Sequence, residues 1–153
     1  MLQYIDHVNI VVSEMEASRQ FYGNLLGLTC SFQQELRGAW VDEVTGLQGT
    51  VAECIFFELP EGRTRIELLQ FRAPPGHVFP RHGDSNTIGV RHFAFAVQDL
   101  DAFVNRARAN GIAFCSDPVT VPFPVGQEGR EKRLCYFRDP DGVLLEVAEY
   151  AED

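Results

Sequence analysis

The chain is written twice. Residues 7–12 (HVNIVV) find a counterpart in 92–97 (HFAFAV), and residues 65–71 (RIELLQF) in 142–150 (GVLLEVAEY). Each half therefore carries one histidine and one glutamate in the same order: His7 and Glu67, then His92 and Glu146. A chain repeated in this way is constrained to build one small architecture two times over. Side chains alternate between the two faces of a strand. In HVNIVV this sends Val8, Ile10 and Val12 to one face and His7, Asn9 and Val11 to the other. In HFAFAV the same parity sends Phe93, Phe95 and Val97 to the core and leaves His92 beside the small Ala94 and Ala96. Glu67 lies between Ile66 and Leu68, and Glu146 between Leu145 and Val147, so each carboxylate interrupts an apolar strand. A lone strand histidine is ordinarily structural. Four residues of ligand type, in phase and at corresponding positions, point instead to a metal site.

The intervening segments follow one plan as well. Ser13 and Glu16 have the spacing of a capping box, which predicts a helix start, and Ala17, Phe21 and Leu25 predict its buried stripe, closed by Gly27. In the second half Asp99 is placed to cap a helix whose buried stripe is Leu100, Phe103, Val104 and Ala107. Gly111 ends that helix before an apolar strand at 112–115 (IAFC). Each module then continues into a hairpin: strands 51–59 and 64–71 around Pro60-Glu61-Gly62-Arg63, and strands 133–137 and 143–150 around Asp139-Pro140-Asp141-Gly142. Residues 72–89, broken by Pro74, Pro75, Gly76, Pro80 and Gly83, form a linker between module one (1–71) and module two (90–150), both within a single domain, 1–153.

Composition narrows the function. A net charge of −9, from 22 acidic and 13 basic residues, disfavours nucleic acid or an anionic membrane as partner. Lys132 is the sole lysine, so Schiff-base chemistry would depend on it alone. Cys30, Cys54, Cys115 and Cys135 are widely spaced and read as reduced thiols, and no run of about 18 apolar residues occurs. The expectation is a soluble, cytoplasmic protein. Neither a G-x-S-x-G elbow nor a G-x-x-x-x-G-K loop is present to support a hydrolase or nucleotide-binding reading.

The order His, Glu, His, Glu, together with FYGNLLGL after the first helix, IELLQ before the linker and YFRDPDGVLLE near the end, resembles the vicinal oxygen chelate superfamily. The resemblance spans nearly the whole chain. It implies an α+β fold of two βαβββ modules forming a partly closed, cup-shaped eight-stranded sheet. It also implies that His7, Glu67, His92 and Glu146 hold one divalent metal ion (Ni, Co, Zn, Mn or Fe), that Glu67 and Glu146 carry the catalysis, and that the chain forms a homodimer. Residues 89–102 (GVRHFAFAVQDLDA) look like the corresponding segment of methylmalonyl-CoA epimerase, whereas the DPDG turn looks more like glyoxalase I. The implied activity is that of a metal-dependent lyase or isomerase that chelates vicinal oxygens of a small carbon-acid substrate and shifts a proton beside a carbonyl. Two alternatives stand beside it. One is an Fe(II) extradiol-type dioxygenase, whose Tyr-x-x-Asp-Pro-x-Gly run is matched from Tyr136 to Glu146. The other is a non-catalytic small-molecule binding or resistance protein.

Two imidazoles and two carboxylates suit a divalent ion and leave positions open for substrate oxygens. Glu53 is a further candidate base, but a hairpin register that sets Phe56 opposite Glu67 turns Glu53 to the other face. Arg130, Lys132 and Arg133, with Glu128 and Glu131 among them, form a charged run that is ordinarily solvated yet could grip a substrate carboxylate or phosphate. His77 and His82 are expected at the solvated linker surface, and Trp40 is a candidate to cover the mouth of the cup.

Overall fold

The computed structural model describes residues 2–125 and 129–151. The chain divides into two compact units, Met1–Val78 and Phe79–Asp153, with the division inside the linker. In the first unit β1 (His7–Val11) leads through α1 (Met15–Arg19) and a π-helical stretch (Gln20–Leu25) into β2 (Thr29–Arg37). After α2 (Ala39–Thr45) come β3 (Val51–Glu58) and β4 (Arg65–Ala73). The second unit holds β5 (His92–Ala96), α3 (Leu100–Ala109), β6 (Val119–Thr120), β7 (Lys132–Arg138) and β8 (Leu144–Tyr150). Each unit is a four-stranded sheet of the same topology, β1-β4-β3-β2 and β5-β8-β7-β6, with the first strand parallel to the last and the rest antiparallel. This is the α+β, βαβββ-type pair of sheets that the repeat predicts.

Strand parity sorts the faces as expected. Ile10 and Val12 are buried while His7, Asn9 and Val11 are exposed, and His92, Ala94 and Ala96 are exposed between the half-buried Phe93, Phe95 and Val97. The apolar face of the first sheet, Ile55, Phe57, Ile66 and Leu68, is covered by the first helix, whose Tyr22 is fully buried 6.5 Å from Phe57. In the second sheet Phe137, Leu145 and Val147 are buried, and the whole predicted stripe of α3 is buried with them; Phe103 meets Phe137 edge-on at 5.8 Å.

The two helix starts differ. Asp99 caps α3, accepting a hydrogen bond from the Ala102 amide at 2.8 Å. The expected capping box does not start α1: the N-cap is Glu14, and the Met15 amide is satisfied by Gln70 from β4 (3.0 Å), which in turn donates to the Ser13 carbonyl (2.9 Å). The predicted stripe is displaced too. Of the predicted stripe Phe21 is buried, but Ala17 is exposed and Leu25 half-buried, while Met15, Ser18 and Tyr22 are buried; the π-helical stretch breaks the four-residue spacing beyond Gln20. Gly27, at φ 78, closes the segment as expected. The strand expected at 112–115 is reduced to a single bridge, Phe114 to Phe137, and the fourth strand of that sheet is the short β6. No helix among the described residues is long and apolar enough to cross a membrane.

Candidate functional site

The register of the two sheets places the four predicted ligands identically. Glu67 on β4 lies opposite Asn9 of β1 and Phe56 of β3; Glu146 on β8 lies opposite Ala94 of β5 and Tyr136 of β7. His7 stands two residues before Asn9, and His92 two residues before Ala94, so each histidine lies diagonally beside its glutamate on the same face. His7 Nε2 is 3.5 Å from Glu67 Oε2, and His92 Nε2 is 3.2 Å from Glu146 Oε2. A ring backs each histidine: Phe56 at 5.4 Å from His7 and Tyr136 at 5.0 Å from His92.

The donor set suits a metal ion. Two neighbouring ligands, each about 2.0–2.2 Å from a shared ion, stand roughly 3 Å apart, which is the separation each pair already has. His7 Nδ1 is hydrogen-bonded to Asp6 at 2.8 Å, and Arg65 also grips Asp6. A carboxylate on Nδ1 fixes the ring and turns Nε2 toward a ligand. The hydrogen bond from His7, and then the Arg65 guanidinium, hold the Asp6 carboxyl below the usual carboxylate range. Each unit supplies two donors, and among the described residues no group of three or more His, Cys, Asp and Glu is placed so that it could hold a metal ion.

The glutamates are held differently. Glu67 accepts from Asn9 Nδ2 at 2.9 Å and from the Cys54 thiol at 3.5 Å. Burial, followed by the Glu67 charge, pushes the Cys54 thiol up to about 12, so it stays protonated and donates. Glu146 is buried, with Oε1 at 2.6 Å from Lys132 Nζ. Burial alone would lower the Lys132 pKa, but the hydrogen bond and charge of Glu146, with help from Tyr150, hold it above the ordinary lysine value.

Asp6, Asn9 and Cys54 surround the first pair and Lys132 the second, and the first three were not singled out from sequence. Strand parity relative to Glu67 would have found Asn9 and Cys54. The charged run around Lys132 is split by alternation: Arg133 points to the helix side, bonding Asp101 and Glu149, and Arg130 lies over the Tyr150 ring at 5.3 Å. Glu128 lies outside the described residues. Glu53 is opposite Gln70, on the face away from Glu67, where it pairs with Arg72 (2.7 Å) and Gln33 (3.0 Å); the Phe56–Glu67 register turns it there. His77 is exposed, but His82 is not a free surface residue: its ring contacts the Phe79 carbonyl at 3.0 Å and the Asp141 carbonyl at 2.6 Å, tying the linker to the DPDG turn. Trp40 sits exposed on α2.

Comparison with known proteins agrees with this architecture. A glyoxalase family protein from Bacillus cereus has a solved structure that superimposes with a TM-score of 0.87 at 30% identity, covering 99% of this chain and 97% of that one. The Escherichia coli (strain K12) protein YaeR, itself uncharacterized, is 29% identical over 97% of both chains. Human mitochondrial methylmalonyl-CoA epimerase is 27% identical over 95% of this chain and 73% of its own. The superfamily to which such proteins are assigned includes enzymes, and its members often bind a metal. Residues 4–147 match the Glyoxalase/Bleomycin resistance protein/Dioxygenase superfamily, and with the repeated sheet and its repeated His–Glu pair the chain belongs to that family.

Proposed function

We propose that the two His–Glu pairs together supply one divalent ion, and that the protein is a metal-dependent isomerase or lyase, epimerase-like or glyoxalase-like, acting on a small carbon acid. The observation that carries this reading is the identical register of His7 with Glu67 and of His92 with Glu146, each with Nε2 facing Oε2. The likeness to methylmalonyl-CoA epimerase along most of the chain supports it further. His7 and His92 would hold the ion through Nε2, and Glu67 and Glu146 through Oε2. When bound, such an ion acts as a Lewis acid toward substrate oxygens and makes a neighbouring C–H more acidic. Glu67 and Glu146 are the groups that would take and return that proton, one from each module. Asp6 keeps the His7 ring oriented, and the rings of Phe56 and Tyr136 pack against the two histidines. We propose further that the chain works as a homodimer in the cytoplasm.

Elemental analysis of the purified protein tests the reading. Wild type should hold about one divalent ion per chain and His92→Ala should lose it while still folding. The metal-loaded protein should exchange deuterium from heavy water into the carbon beside the carbonyl of an acyl-CoA thioester or a thiohemiacetal, with or without oxygen. Turnover of a catechol that stops when oxygen is removed, in an iron-dependent protein, would replace this reading with the dioxygenase. Mixing His7→Ala with His92→Ala subunits separates the two assemblies: restored activity means ligands shared between chains, and no restoration means one chain supplies them all.

A further inference from the structure

We propose that Lys132 makes this site selective for a substrate that carries a carboxylate, by supplying the cation with which that carboxylate pairs. The inference rests on the metal-site reading above and adds a substrate class to it. Lys132 begins β7 four residues before Tyr136, on the same face as Tyr136 and Glu146. Its Nζ lies 2.6 Å from Glu146 Oε1 and 5.6 Å from the centre of the Tyr150 ring, with the side chain only 13% exposed.

The two oxygens of Glu146 have separate partners. Oε2 faces His92 Nε2 and Oε1 faces Lys132. A cation taken between His92 and Oε2 would therefore leave the ammonium where it is. Charge then counts: two glutamates balance a divalent ion, and Asp6 is already balanced by Arg65. Among the described residues, the charge of Lys132 is then left over. Covering it with a neutral ligand would bury an unmatched cation, whereas a carboxylate would pair with it.

The first sheet shows that Lys132 is not needed merely to hold a glutamate at this register. The position matching Lys132, four residues before Phe56, is Ala52, and Glu67 is held there by neutral donors from Asn9 and Cys54. The chain has twelve arginines and places its sole lysine here, where a compact ammonium with three N–H groups can serve Glu146 and still reach a ligand.

The test is titration of the cobalt-loaded full-length protein with glycolate and with its uncharged isostere glycolamide, in wild type, Lys132→Met and Lys132→Arg. Any preference that the metal itself has for a carboxylate is common to the three proteins and cancels in the ratio of affinities. Wild type should prefer glycolate, and Lys132→Met should lose at least about ten-fold of that preference while glycolamide binding is unchanged, as expected for one charge-assisted hydrogen bond. Lys132→Arg should retain part of it. Equal preferences in wild type and Lys132→Met would overturn the proposal, as would a Lys132→Met protein that folds but no longer holds cobalt, since Lys132 would then serve the metal ligands alone. A wild type that takes up no cobalt would instead defeat the metal-site reading, and this inference with it.

Discussion

Glu67 and Glu146 occupy the same register in two sheets of the same topology, each diagonal to a histidine, yet their surroundings are of opposite kinds. Around Glu67 the donors are neutral, and the module's ion pairing goes to the histidine, through Asp6 and Arg65. Around Glu146 the partner is an ammonium, and the residue matching Asp6, one before the histidine, is Arg91, whose guanidinium bonds the His82 carbonyl at 2.7 Å instead. One module orients its imidazole and the other anchors its carboxylate. The backbone repeat thus fixes where four donors lie, and unrepeated neighbours decide how firmly each is held.

The largest effect that follows is on stability. Glu146→Gln removes the charge that Lys132 compensates in a nearly closed environment, and should cost about 2–3 kcal/mol, below the full penalty for a buried pair because the lysine retains some water. Glu67→Gln, with neutral partners, should cost less than about 1 kcal/mol. Urea unfolding of the metal-free variants measures both, and equal losses would dissolve the distinction between the modules.

Metal affinity probes the same contrast from the histidine side. Asp6→Asn should weaken divalent-ion binding about ten-fold, because the carboxylate that orients His7 is lost, while the fold stays intact. Arg91→Ala should leave that affinity unchanged. Competition with a chelating dye reads both values. An unaltered affinity in Asp6→Asn would mean that the His7 ring is fixed by Phe56 alone.

A smaller pair of effects concerns the helix starts. Asp99→Ala removes a side-chain cap and should cost about 1 kcal/mol. Gln70→Ala should cost a similar amount, roughly 1 kcal/mol, although it lies on a strand, because its amide serves both Met15 and Ser13. Thermal unfolding of the two variants compares them directly, and a silent Gln70→Ala would show that the bridge from β4 does not hold the start of α1.

These cases also mark how far the sequence could be read. Period-two alternation is a local property, so the faces of His7, Glu67, His92 and Glu146 were legible, as were the buried stripe and cap of α3 and the turning away of Glu53 once the hairpin register was considered. What escaped was set by contacts across strands. α1 starts after Glu14 and not at a Ser13 capping box, with its Met15 amide bonded by Gln70 from a neighbouring strand, and the π-helical stretch from Gln20 interrupts the ideal four-residue spacing. Lys132 and Arg133 looked like one charged run, but they leave β7 on opposite faces and reach different partners. His82 looked solvated because nothing in the linker sequence announces that its ring reaches a carbonyl of a turn 59 positions away.

The thiols give the finest probe of the contrast. Burial holds both Cys54 and Cys135 above the ordinary thiol range, Cys54 up to about 12 and Cys135 up to about 11, and for Cys54 the Glu67 charge adds to the effect. In the unfolded chain both would ionise near 9, the ordinary value, so above that pH the unfolded state has released protons that the native state retains. Stability must then fall as pH rises. The loss is negligible below about pH 8 and reaches a few tenths of a kcal/mol per thiol by about pH 9. Glu67→Gln removes one cause of the Cys54 shift but none of the Cys135 shift, so it should ease alkaline sensitivity only at the upper end of the range, where the native Cys54 thiol itself begins to ionise. Cys54→Ala should ease it from about pH 8 upward. Urea midpoints measured between pH 7 and 10.5 separate these outcomes, and a Cys54→Ala protein as alkali-sensitive as wild type would show that the thiol facing Glu67 ionises as readily in the native sheet as in the unfolded chain.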